Sequence, residues 1–278
     1  MRSFHSSALH FAAALSLSLA AAACGLARAQ APDPVQTRLN DTPRHHEWVE
    51  IETPDGRTVK TFVVFPEVQD KATAVIIIHE NKGLTDWERS VADRLAEAGY
   101  VALAPDFLSG TGPDGGGTSA FASRDAATQG IYALKPEQVT ADLDAVAAYA
   151  KKIEAANGKV AVIGFCWGGG KSFAYAGHNP DLAAAMVCYG TAPEDEAALK
   201  SIKASVYGFY GGNDARITSQ VPRVTEAMKK LGKTYEPVVY EGAGHGFLRA
   251  GEQPGASEAD QKGFAEGWER VKKILAGL

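Results

Sequence analysis

An α/β architecture, a mostly parallel central sheet flanked by helices, is what this sequence predicts, and three features predict it. Short apolar runs without polar alternation recur along the chain: AVIIIH from Ala74, VALAP from Val101, VAVIGF from Val160, AAMVCYG from Ala184 and SVYGFYG from Ser205. Strands that lack a polar face are strands covered on both sides, the signature of a parallel sheet between helix layers. Between these runs lie segments whose apolar residues recur three and four apart, as in a helix with one face on a core. The third feature is KVAVIGFCWGGG at 159–170, where a β-branched run climbs into clustered glycines and reads as strand, tight turn and helix start.

In chain order, residues 1–29 read as an export signal. Arg2 gives a basic start, 11–23 is rich in alanine and leucine, and Ala27-Arg28-Ala29 is a small-x-small cleavage site before Gln30. The apolar stretch is too short to span a bilayer. Cys24 offers a second reading as a lipid-anchored cysteine, ranked below cleavage near Ala29 because Ala21 stands where a lipobox favours leucine. Cleavage after Ala29 leaves 249 residues, enough for one large domain, and points to a periplasmic location. Residues 30–46 are polar and proline-bearing and are expected to form a flexible arm. A single α/β domain is expected over 47–278.

Within that domain, 47–52 and 58–65 flank the turn signal Pro54-Asp55-Gly56 and read as an antiparallel hairpin. Helices are expected over 87–98, 136–156, 171–176, 220–231 and 258–275. The run SGTGPDGGG at 109–117 breaks the rhythm and reads as a flexible loop above the C-terminal edge of the sheet, where open α/β sheets bind ligands.

The net charge of −5 becomes −7 once residues 1–29, with two arginines and no carboxylate, are removed. An acidic chain of this kind has no reason to seek nucleic acid or anionic lipid. Of three cysteines, Cys24 leaves with the signal, so a disulfide-stapled scaffold is not expected and Cys166 and Cys188 are read as free thiols. Cys188, within an apolar run, reads as core.

Cys166 stands at the centre of Gly164-Phe165-Cys166-Trp167-Gly168. A residue on a sharp strand-to-helix turn is pushed clear of the sheet, and glycines two positions either side remove the Cβ atoms that would clash. A helix starting just beyond it favours a thiolate and leaves N–H groups free for an oxyanion. The competing reading is a small buried cysteine packed between glycines.

A thiol nucleophile needs a base, and the base needs an orienting acid. Downstream, YGFYGGNDARI places Asp214 just past a strand, and YEGAGHGF places His245 just past another. Nucleophile, acid, histidine is the chain order of α/β-hydrolases. Of seven histidines only His79, at the end of the Ala74 run, competes as base, and it is read as a packed strand-end residue. The bland alternatives are an Asx turn for Asp214 and a structural loop residue for His245. The oxyanion hole is assigned to the N–H groups of Trp167 and Asn81. Glu80, beside Asn81, is an odd neighbour for a thiol because its charge disfavours a thiolate.

With these residues in place, the sequence resembles the dienelactone hydrolases (carboxymethylenebutenolidases) from about residue 49 to its C-terminus. The resemblance rests on the G-x-C-x-G-G elbow, the IIIHENKGL loop, the YGFYGGNDARI acid segment and GAGHGF. It implies an α/β-hydrolase fold and a Cys-His-Asp triad of Cys166, His245 and Asp214 that opens an ester or lactone without cofactor or metal. It implies that Glu80 holds the resting thiol and gives way to substrate. Arg249 aligns with one of two arginines that clamp a substrate carboxylate. The second arginine's segment offers Gly110 instead, leaving Arg124, Arg89 or Lys82 as stand-ins. A small-molecule ester or lactone is the expected partner, and a monomer the expected state. Two alternatives stand beside this reading: a carboxylesterase for esters without a carboxylate, and a non-catalytic binding or redox protein that uses Cys166 as a reactive thiol.

Overall fold

A computed structural model describes Met1 and residues 32–278. The export signal expected over 1–29, with Cys24 and the Ala29 cleavage point, falls outside the described residues apart from Met1. Within the segment expected as a flexible arm, α1 (Pro34–Asp41) is helical, with Pro34 at its first position and the Asp33 carboxylate accepting the Val35 N–H. Its one buried apolar residue is Val35. Charge supplies what apolar periodicity lacks, because Arg38 and Arg44 reach a single buried carboxylate, Asp93, at 2.9 and 2.8 Å. Burial pushes that carboxyl up, but its bonds to Arg44, Thr42 and Arg38 prevail and hold it below the usual carboxylate range. Asp93→Asn is expected to lower unfolding free energy by about 2–3 kcal/mol in urea titrations, as breaking one side of a buried ion pair does.

The hairpin follows as β1 (His46–Glu52) and β2 (Thr58–Val64), paired from His46 with Val64 to Glu52 with Thr58. Then come β3 (Ala72–Ile78), α2 (Asp86–Glu97), β4 (Val101–Pro105), α3 (Arg124–Ala133), α4 (Pro136–Ala150) and β5 (Ala156–Phe165). After β5 the chain forms α5 (Trp167–His178), β6 (Ala184–Cys188), α6 (Glu196–Ser201), β7 (Ser205–Gly211) and α7 (Ala215–Thr218). It ends with α8 (Val221–Lys230), β8 (Tyr235–Tyr240), α9 (Phe247–Ala250) and α10 (Glu258–Ala276). The strands make one 8-stranded sheet in the order β1-β2-β4-β3-β5-β6-β7-β8. From β4 to β8 all neighbours are parallel, and the hairpin adds the antiparallel edge.

Alternate residues of the central strands enter different cores, which is why the apolar runs are continuous. Ile76 and Ile78 pack with Leu143 and Val146 of α4, Phe173 of α5 and Met228 of α8. Val75 and Ile77 pack on the opposite face with Trp87 and Val91 of α2 and Val271 of α10. Among the described residues no helix is long and apolar enough to cross a membrane.

Two helix boundaries differ from expectation. The 136–156 segment stops at Ala150, because Ala156 pairs with Ala72 and starts β5, a long-range pairing that overrides the helix propensity of KKIEAA. The short helix expected at 171–176 begins four residues earlier, at Trp167, and runs to His178. Its opening glycines are steric requirements: a Cβ at Gly168 would collide with the carbonyl oxygens of Ile78 and His79. The 109–117 loop is also tied down. Asp106 accepts the Thr118 N–H at 2.7 Å and the Thr118 hydroxyl at 2.7 Å, closing the glycine run onto the end of β4.

Candidate active site

β5 delivers Cys166 to the C-terminal edge of the sheet, and α5 begins at the next residue. Cys166 sits at φ 55° and ψ −112°, a conformation that costs a non-glycine residue about 1–3 kcal/mol. Its N–H donates to the Cys188 carbonyl at 3.0 Å, which anchors the turn to β6. The side chain is thereby aimed away from the sheet.

The loops after β7 and β8 bring their residues to the same place. His245 Nδ1 lies 2.5 Å from Asp214 Oδ2, and Nε2 lies 3.2 Å from Cys166 Sγ. Asp214 is buried, so it holds the imidazole in one orientation with little competition from water. The His245 pKa is pushed up to about 9, first by its hydrogen bond with Cys166 and then by Asp214, against the pull of burial. An imidazole that holds a proton this firmly can take one from the thiol. Tyr189, just past β6 at φ 40°, packs its ring edge-on against His245 with centroids 5.2 Å apart. Sequence reading missed this residue, since YG at a strand end carries no charge or motif that marks it.

His79 is a structural residue. It is fully buried with its ring stacked on Trp167, Nδ1 lies 2.8 Å from the Glu80 carbonyl, and Nε2 accepts the Phe107 N–H at 3.3 Å. Burial pushes its pKa below the ordinary value and keeps it neutral. Asn81 lies in the loop after β3 and Trp167 opens α5 directly after Cys166, and their N–H groups have no protein acceptor among the described residues.

Glu80 differs from what the resemblance implies. Its carboxylate bonds Arg249 Nε at 3.0 Å and not the Cys166 thiol. The two meet beside Gly246, the residue after His245, where a guanidinium is a stronger partner for a buried carboxylate than a neutral thiol. Behind them Glu88, buried in α2, accepts the Glu80 N–H at 3.0 Å and the Thr85 N–H at 3.0 Å. Burial, with the nearby charge of Glu80, pushes the Glu88 pKa up to about 7. The folded state then keeps a proton that the unfolded chain releases near 4.5, so stability falls as pH rises from about 4.5 to 7. Glu88→Gln is expected to flatten that slope, which reaches at most about 1.4 kcal/mol per pH unit, in denaturant titrations across the window.

The candidate clamp cations divide between cavities. Lys82 and Arg124 share a cavity of about 470 Å³ with Glu80 and Arg249. Arg89 and Gly110 line a separate polar cavity of about 860 Å³. A Cβ at Gly110 would face Arg57 Nη1 at 3.7 Å, but Arg57 is already bonded to Asp142 at 3.0 Å and to the carbonyls of Phe107 and Ser109. Cys166 itself opens on a third cavity of about 680 Å³, walled by α3, the start of α5 and the loop after β6.

The eight-stranded sheet with a strained elbow at the C-terminal edge of β5 is an α/β-hydrolase fold. The chain belongs to the dienelactone hydrolase family, whose model matches residues 59–277. It is 34% identical over 235 residues to a protein of Salmonella typhimurium described as "Putative carboxymethylenebutenolidase", covering 80% of this chain and 83% of that protein. A protein of Escherichia coli K12 with the same description is 31% identical over 248 residues, covering 80% and 88%. Among solved structures, one described as "Putative Dienelactone Hydrolase" from Klebsiella pneumoniae superposes with a TM-score of 0.71 at 28% identity, covering 84% of this chain and all of that one. The acylaminoacyl peptidase of Pyrococcus horikoshii, at 16% identity and a TM-score of 0.60 over 45% of its length, shares the fold. The chain is thus a hydrolase of the dienelactone hydrolase kind, a class that acts on small molecules.

Proposed function

We propose that this protein hydrolyses a carboxylic ester or lactone through an acyl-thiol intermediate on Cys166. Cys166 Sγ attacks the carbonyl carbon while His245 Nε2 takes the thiol proton, and Asp214 keeps the imidazole aligned. The carbonyl oxygen, now negative, is held by the N–H groups of Trp167 and Asn81. Collapse breaks the ester C–O bond, and the leaving oxygen receives the proton from His245. Water, deprotonated by the same imidazole, then attacks the thioester and releases the acid and the thiol. The observation that carries this reading is the continuous bonding from Asp214 through His245 to Cys166 Sγ at 2.5 and 3.2 Å. Hydrolysis of a panel of aryl esters and lactones by the native protein and by Cys166→Ala tests it, with turnover expected only from the former.

One observation favours a second reading, a carboxylesterase for esters that lack a carboxylate next to the reacting carbonyl. Arg249 is already neutralised by Glu80, and Gly110 supplies no second guanidinium. A lactone bearing a carboxylate and a neutral aryl ester separate the two, with Arg249→Met lowering turnover of the lactone alone under the first reading.

We also propose that the protein is exported and processed at Ala29, on the strength of the basic, apolar and small-residue pattern over 1–29. N-terminal sequencing of protein from the native cell is expected to begin at Gln30. A mature terminus at a lipidated Cys24 supports the anchored form instead, and an intact Met1 contradicts export.

A further inference from the structure

The cavity that meets Cys166 is lined by two cations that make no ion pair among the described residues. Lys171 lies five residues beyond Cys166 on α5, roughly 7.5 Å along the helix axis, and lines the same cavity. Its ammonium stands 5.4 Å from the centre of the Trp167 ring and makes no ion pair or hydrogen bond among the described residues. Burial pulls its pKa down, and Glu137 is the carboxylate whose charge acts against that pull. Arg216, on α7 across the cavity, is likewise without an ion pair or hydrogen bond among the described residues. The lining of the same cavity includes the apolar side chains of Ile131, Leu134, Ala192 and Ile217.

This arrangement is the reverse of the one at Arg249, where the cation is matched by Glu80 before any ligand arrives. A half-buried ammonium above an aromatic ring, in a cavity that also presents apolar side chains, is a receptor for an anion that brings its own apolar spacer. We infer that the Cys166 cavity selects an ester or lactone that carries an anionic group beyond an apolar spacer, with Lys171 as the residue that reads the anion and Arg216 assisting at the rim. This rests on the proposed esterase reading and adds the substrate class to it. The charge sits several bonds from the reacting carbonyl, on the α5 side, and so is distinct from a carboxylate held at Arg249.

Two pairs of probes test it, one for each side of the ester bond: the nitrophenyl monoester of adipic acid against nitrophenyl hexanoate, and acetoxybenzoate against acetoxybenzamide. The native protein is expected to prefer the anionic member of at least one pair by about tenfold in kcat/KM, mainly through KM. Lys171→Met and Lys171→Gln bring that ratio to about one, Lys171→Arg keeps it, and Arg216→Met lowers it by a smaller factor. A ratio near one in the native protein for both pairs, or a preference that survives in both neutral variants, overturns the inference while leaving the esterase reading intact. Failure of the native protein to hydrolyse any of the probes, or undiminished hydrolysis by Cys166→Ala, counts against the esterase reading itself.

Discussion

Replacing Cys166 by alanine is expected to lower kcat/KM for ester hydrolysis by about 10⁴-fold or more while leaving the fold in place. The sulfur is the atom that forms the covalent bond, so its loss removes the step itself, and the oxyanion donors retain only a residual effect. The surroundings explain why the fold survives. The elbow is held by the Cys166 N–H bond to Cys188 and by the fit of Gly168 under Ile78 and His79, none of which uses the side chain. The strain makes a second variant informative. Cys166→Gly relieves a φ of 55° and is expected to be equally inactive yet more stable by about 1 kcal/mol in thermal or urea unfolding. Stability gained together with activity lost is the signature of a conformation kept for chemistry.

Asp214→Asn is expected to cost about 10³-fold in kcat, with a smaller effect on KM. The amide can still fill the space, but it carries no charge to stabilise the imidazolium and can hold the ring in the wrong tautomer. A pH profile distinguishes this role from a merely structural one. His245 gives the leaving oxygen the proton it has taken from the thiol, and with its pKa pushed up to about 9 it loses that proton to solvent at higher pH, so the native rate is expected to fall as pH rises through about 9. Loss of the Asp214 charge removes one of the two partners that raise this pKa, and the alkaline limb is expected to move to lower pH in Asp214→Asn. A rate loss with no movement of that limb would mean that Asp214 serves packing alone.

The parts legible from sequence are those whose geometry forces a residue type. Gly168 and Gly164 cannot carry a Cβ where β3 and the start of α5 approach, so the elbow shows as glycines around Cys166. Residues 74–78 of β3 and 160–165 of β5 are all apolar because alternate residues such as Val75 and Ile76 face different helix layers. Asp214 and His245 were readable as loop residues past strands, because parallel strands place all such loops on one edge. What sequence did not reveal depends on partners far away in the chain. α1 is fixed by Arg38 and Arg44 on Asp93, a charge pattern without period. The end of α4 is set by the pairing of Ala72 with Ala156. Glu80 faces Arg249, 169 residues away, and nothing local to either residue marks that choice.

The central claim is that an acyl group resides on Cys166 during turnover, and rapid-quench mass spectrometry tests it most directly. Mixing the native protein with excess nitrophenyl acetate and quenching in acid within the first turnover is predicted to add one acetyl group to the peptide containing Cys166. An acetyl group found on a different residue during productive turnover, or turnover with Cys166 unmodified at every quench time, would contradict the account.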